Sequence, residues 1–293
     1  MNDPTLAEST CGNNSQGNTT EWNQHMSFYT SFNLAPIFQD INHCNLAQIS
    51  WVIPDEAWSD HPVLGGSGTA LGPSWVGDIV NSIGGSYANS NGLCDYWGTN
   101  STNKKSTAIF IVWDDWGGFY DHVPPYRVLK GQNNGTQQNP VWSCPAPATN
   151  QWGCGYTYGF RVPFLVVSEY TGTKSGNNYV GYISGACGTT GKPACPNLSN
   201  PYVHDFGSIL AFTEFNFGLP NVDQSNNGYA DYSALDWDTA HHTPPLSDFF
   251  SLYTGSGSTG RPFVQVPITQ YPPSFFQNYY ATHNATPTGP DTD

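Results

Sequence analysis

Two runs in this chain, Thr107-Ala-Ile-Phe-Ile-Val-Trp113 and Val162-Pro-Phe-Leu-Val-Val-Ser168, are almost continuously apolar and rich in β-branched and aromatic residues. Neither alternates polar with apolar, so neither reads as a strand with one wet face. The pattern is that of strands covered on both sides, in a parallel or mixed sheet. A third run, Leu46 to Ile53, reads as a further strand that Pro54 stops, because proline cannot donate to a ladder. Between these lie helical signals. In "GPSWVGDIVNSIG", Pro73 and Ser74 suit a helix start, Trp75, Ile79, Val80 and Ile83 recur at helical spacing, and Gly84-Gly85 ends the run. In "DFGSILAFTEFNFGLP", Asp205 is placed to cap, Ile209, Leu210, Phe212, Phe215 and Phe217 are expected on the inner side, and Gly218-Leu219-Pro220 stops the helix. Strand, helix, strand, strand, helix is an α/β order. The expectation is a mostly parallel or mixed central sheet flanked by helices, with long irregular loops and an extended C-terminal tail. Residues 1–44 read as an irregular lead-in, 45–220 as the body of the domain, and 221–293 as a loop-rich wrap of the same domain.

Charge narrows the function classes. With 8 Lys+Arg against 22 Asp+Glu the net charge is −14, which leaves no basic face to displace counterions from a nucleic acid and none to dock on anionic lipid. Low charge with abundant Asn, Ser, Thr, Gly, Trp and Tyr suits a secreted or acid-tolerant protein more than a cytosolic enzyme. The seven cysteines lack CxxC metal spacing, while Cys187/Cys195 and Cys144/Cys154 each bracket a Gly- or Pro-rich loop short enough for a disulfide to close. No stretch is apolar enough to span a membrane, and none begins as a signal peptide does. The expected location is secreted or periplasmic, with any signal upstream of Met1.

Ligands gather at the carboxyl ends of strands in open α/β sheets. Here the first expected strand runs into Asp60-His61, and the second into Asp114-Asp115, then Gly117-Gly118, then Asp121-His122. Adjacent carboxylates at a strand end repel one another and lose hydration, so either a cation offsets them or one takes up a proton. A hard divalent metal held by oxygen suits the pair, and nearby imidazoles would admit zinc or iron as readily as magnesium or calcium. The glycines let the backbone turn tightly and approach a ligand. His122 could then bind metal or shuttle a proton. A lone Asp-Asp also serves as a turn or capping device, and His61 before Pro62 suits a solvated loop; the joint pattern favours the functional reading. His204 precedes the capping Asp205, so a role in starting that helix competes with catalysis. His241-His242, in a Pro-rich loop, reads as a solvated pair. Arg161 opens the third strand and is expected to be buried against an acid, with anion contact the alternative.

The blocks "ISWVIPD", "SDHP", "GPSWVGDIVNSIG", "TAIFIVWDDWGGFYDHVPP", "GFRVPFLVVSEY" and "DFGSILAFTEFNFGLP" follow in this order, and together they resemble the phosphoesterase family of non-specific phospholipases C and acid phosphatases. The resemblance covers roughly residues 45–220. It implies an alkaline-phosphatase-like α/β fold and cleavage of phosphate esters by a metal and a hydroxyl nucleophile. It implies metal ligation by Asp114 and Asp115, and contact with the phosphate or leaving group by His61 and His122, with Asp60 beside His61. The implied substrate is a phosphate-ester small molecule or a phospholipid head group.

Family members begin with an E-N-[RH]-S-F-D-H-type segment and a Ser or Thr nucleophile, and nothing in residues 1–44 matches either. Pro201 stands where many relatives carry a histidine ahead of the capping acid, and His204 is an imperfect substitute. The chain therefore reads as the C-terminal portion of such an enzyme. Two other functions remain open at this point: a secreted binding module whose ten Trp and seventeen Tyr stack on sugars, and an inactive fold remnant.

Overall fold

The computed structural model describes residues 35–60, 70–98, 104–121, 159–182, 204–219, 246–255, 258–267, 270–279 and 282. The chain divides into two units, one formed by Met1–Thr107 with Phe263–Asp293 and the other by Ala108–Pro262.

The described residues of the first unit are mainly helical and packed on aromatic rings. Helix α1 (Pro36–Asn42) begins on a proline, whose missing N–H costs nothing in the first turn, and buries Ile37, Phe38 and Ile41. A short 3-10 turn, Glu56–Trp58, is capped by buried Asp55, whose side chain accepts from the Ala57 N–H at 2.9 Å. Helix α2 (Leu71–Gly84) starts two residues earlier than Pro73 suggests and ends at the expected glycines. It buries Trp75, Val80 and Ile83, and the Trp75 ring meets Phe38 at 5.3 Å, Trp58 at 5.7 Å and Phe276 of helix α5 (Pro273–Gln277) at 5.3 Å. The edge-to-face pairs with Phe38 and Phe276 add to what their burial contributes. Gly84 is glycine for a steric reason: a Cβ there would come within 2.2 Å of the Phe263 ring. Helix α3 (Ser86–Asn89) leads to a disulfide between Cys44 and Cys94 that closes 50 residues of chain. The two pairings expected from loop length, Cys187–Cys195 and Cys144–Cys154, lie outside the described residues.

The expected strand at 46–53 does not form. These residues carry no ladder, and Ile49, Trp51, Val52 and Ile53 are exposed, Trp51 by 75%. A strand needs a neighbour for its backbone N–H and C=O groups. Among the described residues nothing pairs with this segment, and the Leu46 N–H is taken instead by the Tyr96 hydroxyl at 3.0 Å.

The second unit holds the two strong apolar runs. They become β1 (Ile109–Val112) and β2 (Phe164–Val167), and they pair directly with one another, antiparallel, with Ile109 opposite Val167 and Val112 opposite Phe164. Where the sequence pattern points to strands covered on both faces of a larger sheet, the described residues show β1 and β2 as a two-stranded ribbon with Val112 and Leu165 exposed. Strands β3 (Thr173–Ser175) and β4 (Asn178–Val180) make a separate hairpin. Helix α4 (Phe206–Phe217) matches its sequence signals at both ends. Asp205 Oδ1 accepts from the Ser208 N–H, the Ser208 hydroxyl accepts from the Asp205 N–H, and Gly218 ends the helix in the left-handed region at φ 62°. Its inner face differs from expectation: Ile209 and Ala211 are buried, whereas Leu210, Phe215 and Phe217 are exposed. Phe212 makes the link to the ribbon, meeting Phe110 at 5.1 Å, and Phe110 stacks on Phe164 at 5.8 Å.

Two predictions arise from the first unit. Asp78, on the buried side of α2, has a carboxylate oxygen with no hydrogen-bond partner, and burial pushes its pKa up from 3.8 to about 6. The folded state therefore binds a proton more readily than the unfolded state, so this group lowers stability as pH rises from 3.8 to about 6 and imposes its full penalty above that. Asp78→Asn should stabilise the protein at pH 7 by roughly 2 kcal/mol and make little difference at pH 4, read from urea unfolding across that range. For the disulfide, Cys94→Ser should cost up to about 4 kcal/mol by the loop-entropy relation, and reductant should reproduce the loss in the wild type.

Candidate functional site

The acid cluster sits where β1 gives way to a loop. Past Val112 the chain passes Trp113, Asp114, Asp115 and Trp116, then reverses at Gly117 and Gly118, both at positive φ (63° and 72°). That backbone is cheap only for glycine. The two acids fold the loop onto itself: Asp114 Oδ1 accepts from the Asp115 N–H at 3.0 Å, and Asp115 Oδ1 accepts from the Gly117 N–H. Both acids are exposed, and each leaves its Oδ2 uncommitted. Adjacent hard oxygen donors of this kind suit a divalent cation such as magnesium, calcium or manganese, with water completing the coordination. Two carboxylates alone make a partial set, and among the described residues no group of three or more His, Cys, Asp or Glu converges to complete it. Aromatic residues flank the acids along the chain. Phe119 is 69% and Tyr120 79% exposed, while Trp116 packs edge-on against Phe160 at 5.8 Å.

Asp121 closes the loop. Its Oδ2 accepts from the Arg161 N–H at 3.2 Å and from Nε at 2.9 Å, and its Oδ1 accepts from Nη2 at 2.7 Å. The expected acid partner for Arg161 is thus found. The expected burial is not, since the arginine side chain is 65% exposed while that of Asp121 is 12% exposed. A guanidinium fork on a carboxylate needs only the aspartate end to be held; the arginine stem can lie in solvent.

Asp60 belongs to the first unit, whereas Asp114 and Asp115 belong to the second. Its backbone is left-handed at φ 64°, and its carboxylate lies against the backbone of Gly72 in the first turn of α2, where a Cβ would come within 2.1 Å of it. Burial raises its pKa, and the hydrogen bond from the Gly72 N–H draws it partly back. This is an acid at a helix N-terminus, taking up a donor that the helix itself cannot satisfy. His61 and His122 lie outside the described residues, as do His241 and His242.

Sequence reasoning found His204 but not its partners. Its Nε2 lies 3.1 Å from Asp248 Oδ1 and 3.2 Å from Oδ2, and the Tyr182 hydroxyl donates to Asp248 Oδ2 at 2.8 Å. The His204 and Asp248 side chains are 8% and 0% exposed, and Phe249 packs on the imidazole at 5.3 Å. Alongside the Asp205 cap, this buried cluster fastens the start of α4 to the 246–252 turn. No local signal links residues so far apart in the chain.

A family model described as the phosphoesterase family matches residues 9–220. The chain is 33% identical to a non-hemolytic phospholipase C of Burkholderia pseudomallei over 135 residues, covering 45% of this chain and 17% of that protein. It is 24% identical to a non-hemolytic phospholipase C of Pseudomonas aeruginosa over 254 residues, 82% of this chain and 28% of that protein. Against phospholipase C A of Mycobacterium tuberculosis it is 26% identical over 133 residues, 45% of this chain and 22% of that protein. The chain thus covers well under a third of the length of each of these relatives. No solved structure matches it. The family match takes in β1, the acid-bearing loop, its Asp121–Arg161 closure, β2 and α4, and on it this chain belongs to the phosphoesterase family.

Proposed function

We propose that this chain serves the metal-dependent hydrolysis of phosphate esters, of the phospholipase C or acid phosphatase type, and that Asp114 and Asp115 are its metal ligands. The observation that carries this reading is the acid pair on a glycine-turned loop at the end of β1, inside the region the family model matches. The free Oδ2 atoms of the pair would hold a divalent cation. A cation there supplies Lewis-acid polarisation of a phosphoryl oxygen and lowers the pKa of a hydroxyl nucleophile.

The remaining roles fall to this chain's own side chains. His122 follows Asp121 directly in the chain. His122 or His61 would pass a proton to the departing alkoxide or hold a non-bridging oxygen, and Asp60 is the acid beside His61. The exposed rings of Trp116, Phe119 and Tyr120 give the loop an apolar rim for the non-phosphate part of a substrate, such as a phospholipid head group.

We place the protein outside the cytoplasm, secreted or periplasmic. The support is the Cys44–Cys94 disulfide, a bond that persists in oxidising compartments. No helix among the described residues is long and apolar enough to cross a membrane.

Calorimetric titration with magnesium, calcium, manganese and zinc, run beside hydrolysis of p-nitrophenyl phosphate and a short-chain phosphatidylcholine, tests the reading. Wild type should bind a divalent cation weakly, with Kd in the range of about 10⁻⁴–10⁻³ M typical of loosely built oxygen sites. Asp114→Asn or Asp115→Asn should weaken binding at least about tenfold, as expected for loss of a charged ligand. Tight binding that survives both substitutions would put the metal elsewhere.

A further inference from the structure

The β1–β2 register sets up a problem that the loop must solve. Continuing the antiparallel pairing past Val112 and Phe164 would bring Arg161 level with Asp115, the middle of the acid cluster. A guanidinium seated there would neutralise the pair and compete with any cation. Instead the chain turns back at Gly117-Gly118, and Asp121 takes the fork, engaging it through both carboxylate oxygens as well as accepting the Arg161 backbone N–H. A second fastening lies beside it, where Trp116 packs on Phe160. The loop from 114 to 121 is therefore tied at its middle and at its end to two consecutive residues that lead into β2.

From this geometry we infer that Asp121 and Arg161 form a positioning clasp: the pair keeps the guanidinium away from Asp114 and Asp115 and holds the loop in the turn that presents both carboxylates to one cation. The role assigned to the acids rests on the metal reading above. Asp121 itself is engaged by the arginine through both of its carboxylate oxygens. The planar fork matters, because lysine offers a point charge without the second parallel contact. An ion pair with an exposed arginine contributes little to global stability, so its effect should be confined to the loop.

The test compares the full chain with its Arg161→Gln, Arg161→Lys, Asp121→Asn and Asp114→Asn variants, reading amide hydrogen exchange residue by residue and binding of Mn²⁺. Arg161→Gln and Asp121→Asn should each speed exchange at the Asp115 and Gly117 amides about tenfold, as expected when a local closure is lost, and weaken Mn²⁺ binding by a similar factor. The β1 amides that bond across to β2 should exchange as in the wild type. Arg161→Lys should restore part of both losses, which a merely structural role would not require. Unchanged exchange at Asp115 and Gly117 in Arg161→Gln would overturn the clasp, as would a loss shared equally by the β1 amides. Loosened loop exchange with undiminished Mn²⁺ binding would overturn the positioning role. If the wild type bound no Mn²⁺ while the loop still loosened in Arg161→Gln, the clasp would stand as a loop closure and the metal reading would fail.

Discussion

The second unit depends on the backbone pairing of β1 with β2. A strand is held by its ladder, and here the ladder runs from Ile109–Val167 to Val112–Phe164. That register decides where the acid loop begins, which residues face it across the ribbon, and where Arg161 arrives. It also sets Phe110 beside Phe164, and so the ring surface on which Phe212 of α4 and Phe249 are packed. Slipping the register by one residue would turn each of these rings to the other face and move the arginine along the loop.

Within each unit, aromatic contact does much of the work that aliphatic packing does elsewhere. In the first, Trp58, Trp75, Phe38 and Phe276 form one cluster; in the second, Phe110, Phe164, Phe212, Phe249 and Phe250 form another. Aromatic side chains bury large areas with few rotatable bonds, which suits a chain so rich in loops. Much apolar surface is still left in water: Trp51, the rings of the acid loop, and Leu210, Phe215 and Phe217 of α4.

Polar groups at the site are held mainly by the backbone nearby. Asp114 and Asp115 each accept from a peptide N–H of their own loop, and Asp121 takes both a peptide N–H and a guanidinium. Carboxylates held this way point in set directions without needing to be buried.

Features that depend on a few consecutive residues were legible in the sequence. The capping box and left-handed glycine of α4, the glycine stop of α2, the two apolar runs and the glycine turn after the acids all arise from local steric and hydrogen-bonding preferences, and they formed where expected. The order of the motif blocks was enough to suggest the family. Features that depend on what lies alongside could not be read. Whether 46–53 becomes a strand turns on a neighbour for its backbone groups, and which face of α4 is buried turns on what packs there. Cys44 meets Cys94 across 50 residues, and His204 finds Asp248 and Tyr182. The role of Asp121 shows the division best: sequence set it beside His122 among acids and read it with them, and only the antiparallel register, by bringing Arg161 within reach, committed its carboxylate to an arginine. Local chemistry fixes what a residue can do; spatial neighbours, chosen by the energy of the whole pairing, decide which of those things it does.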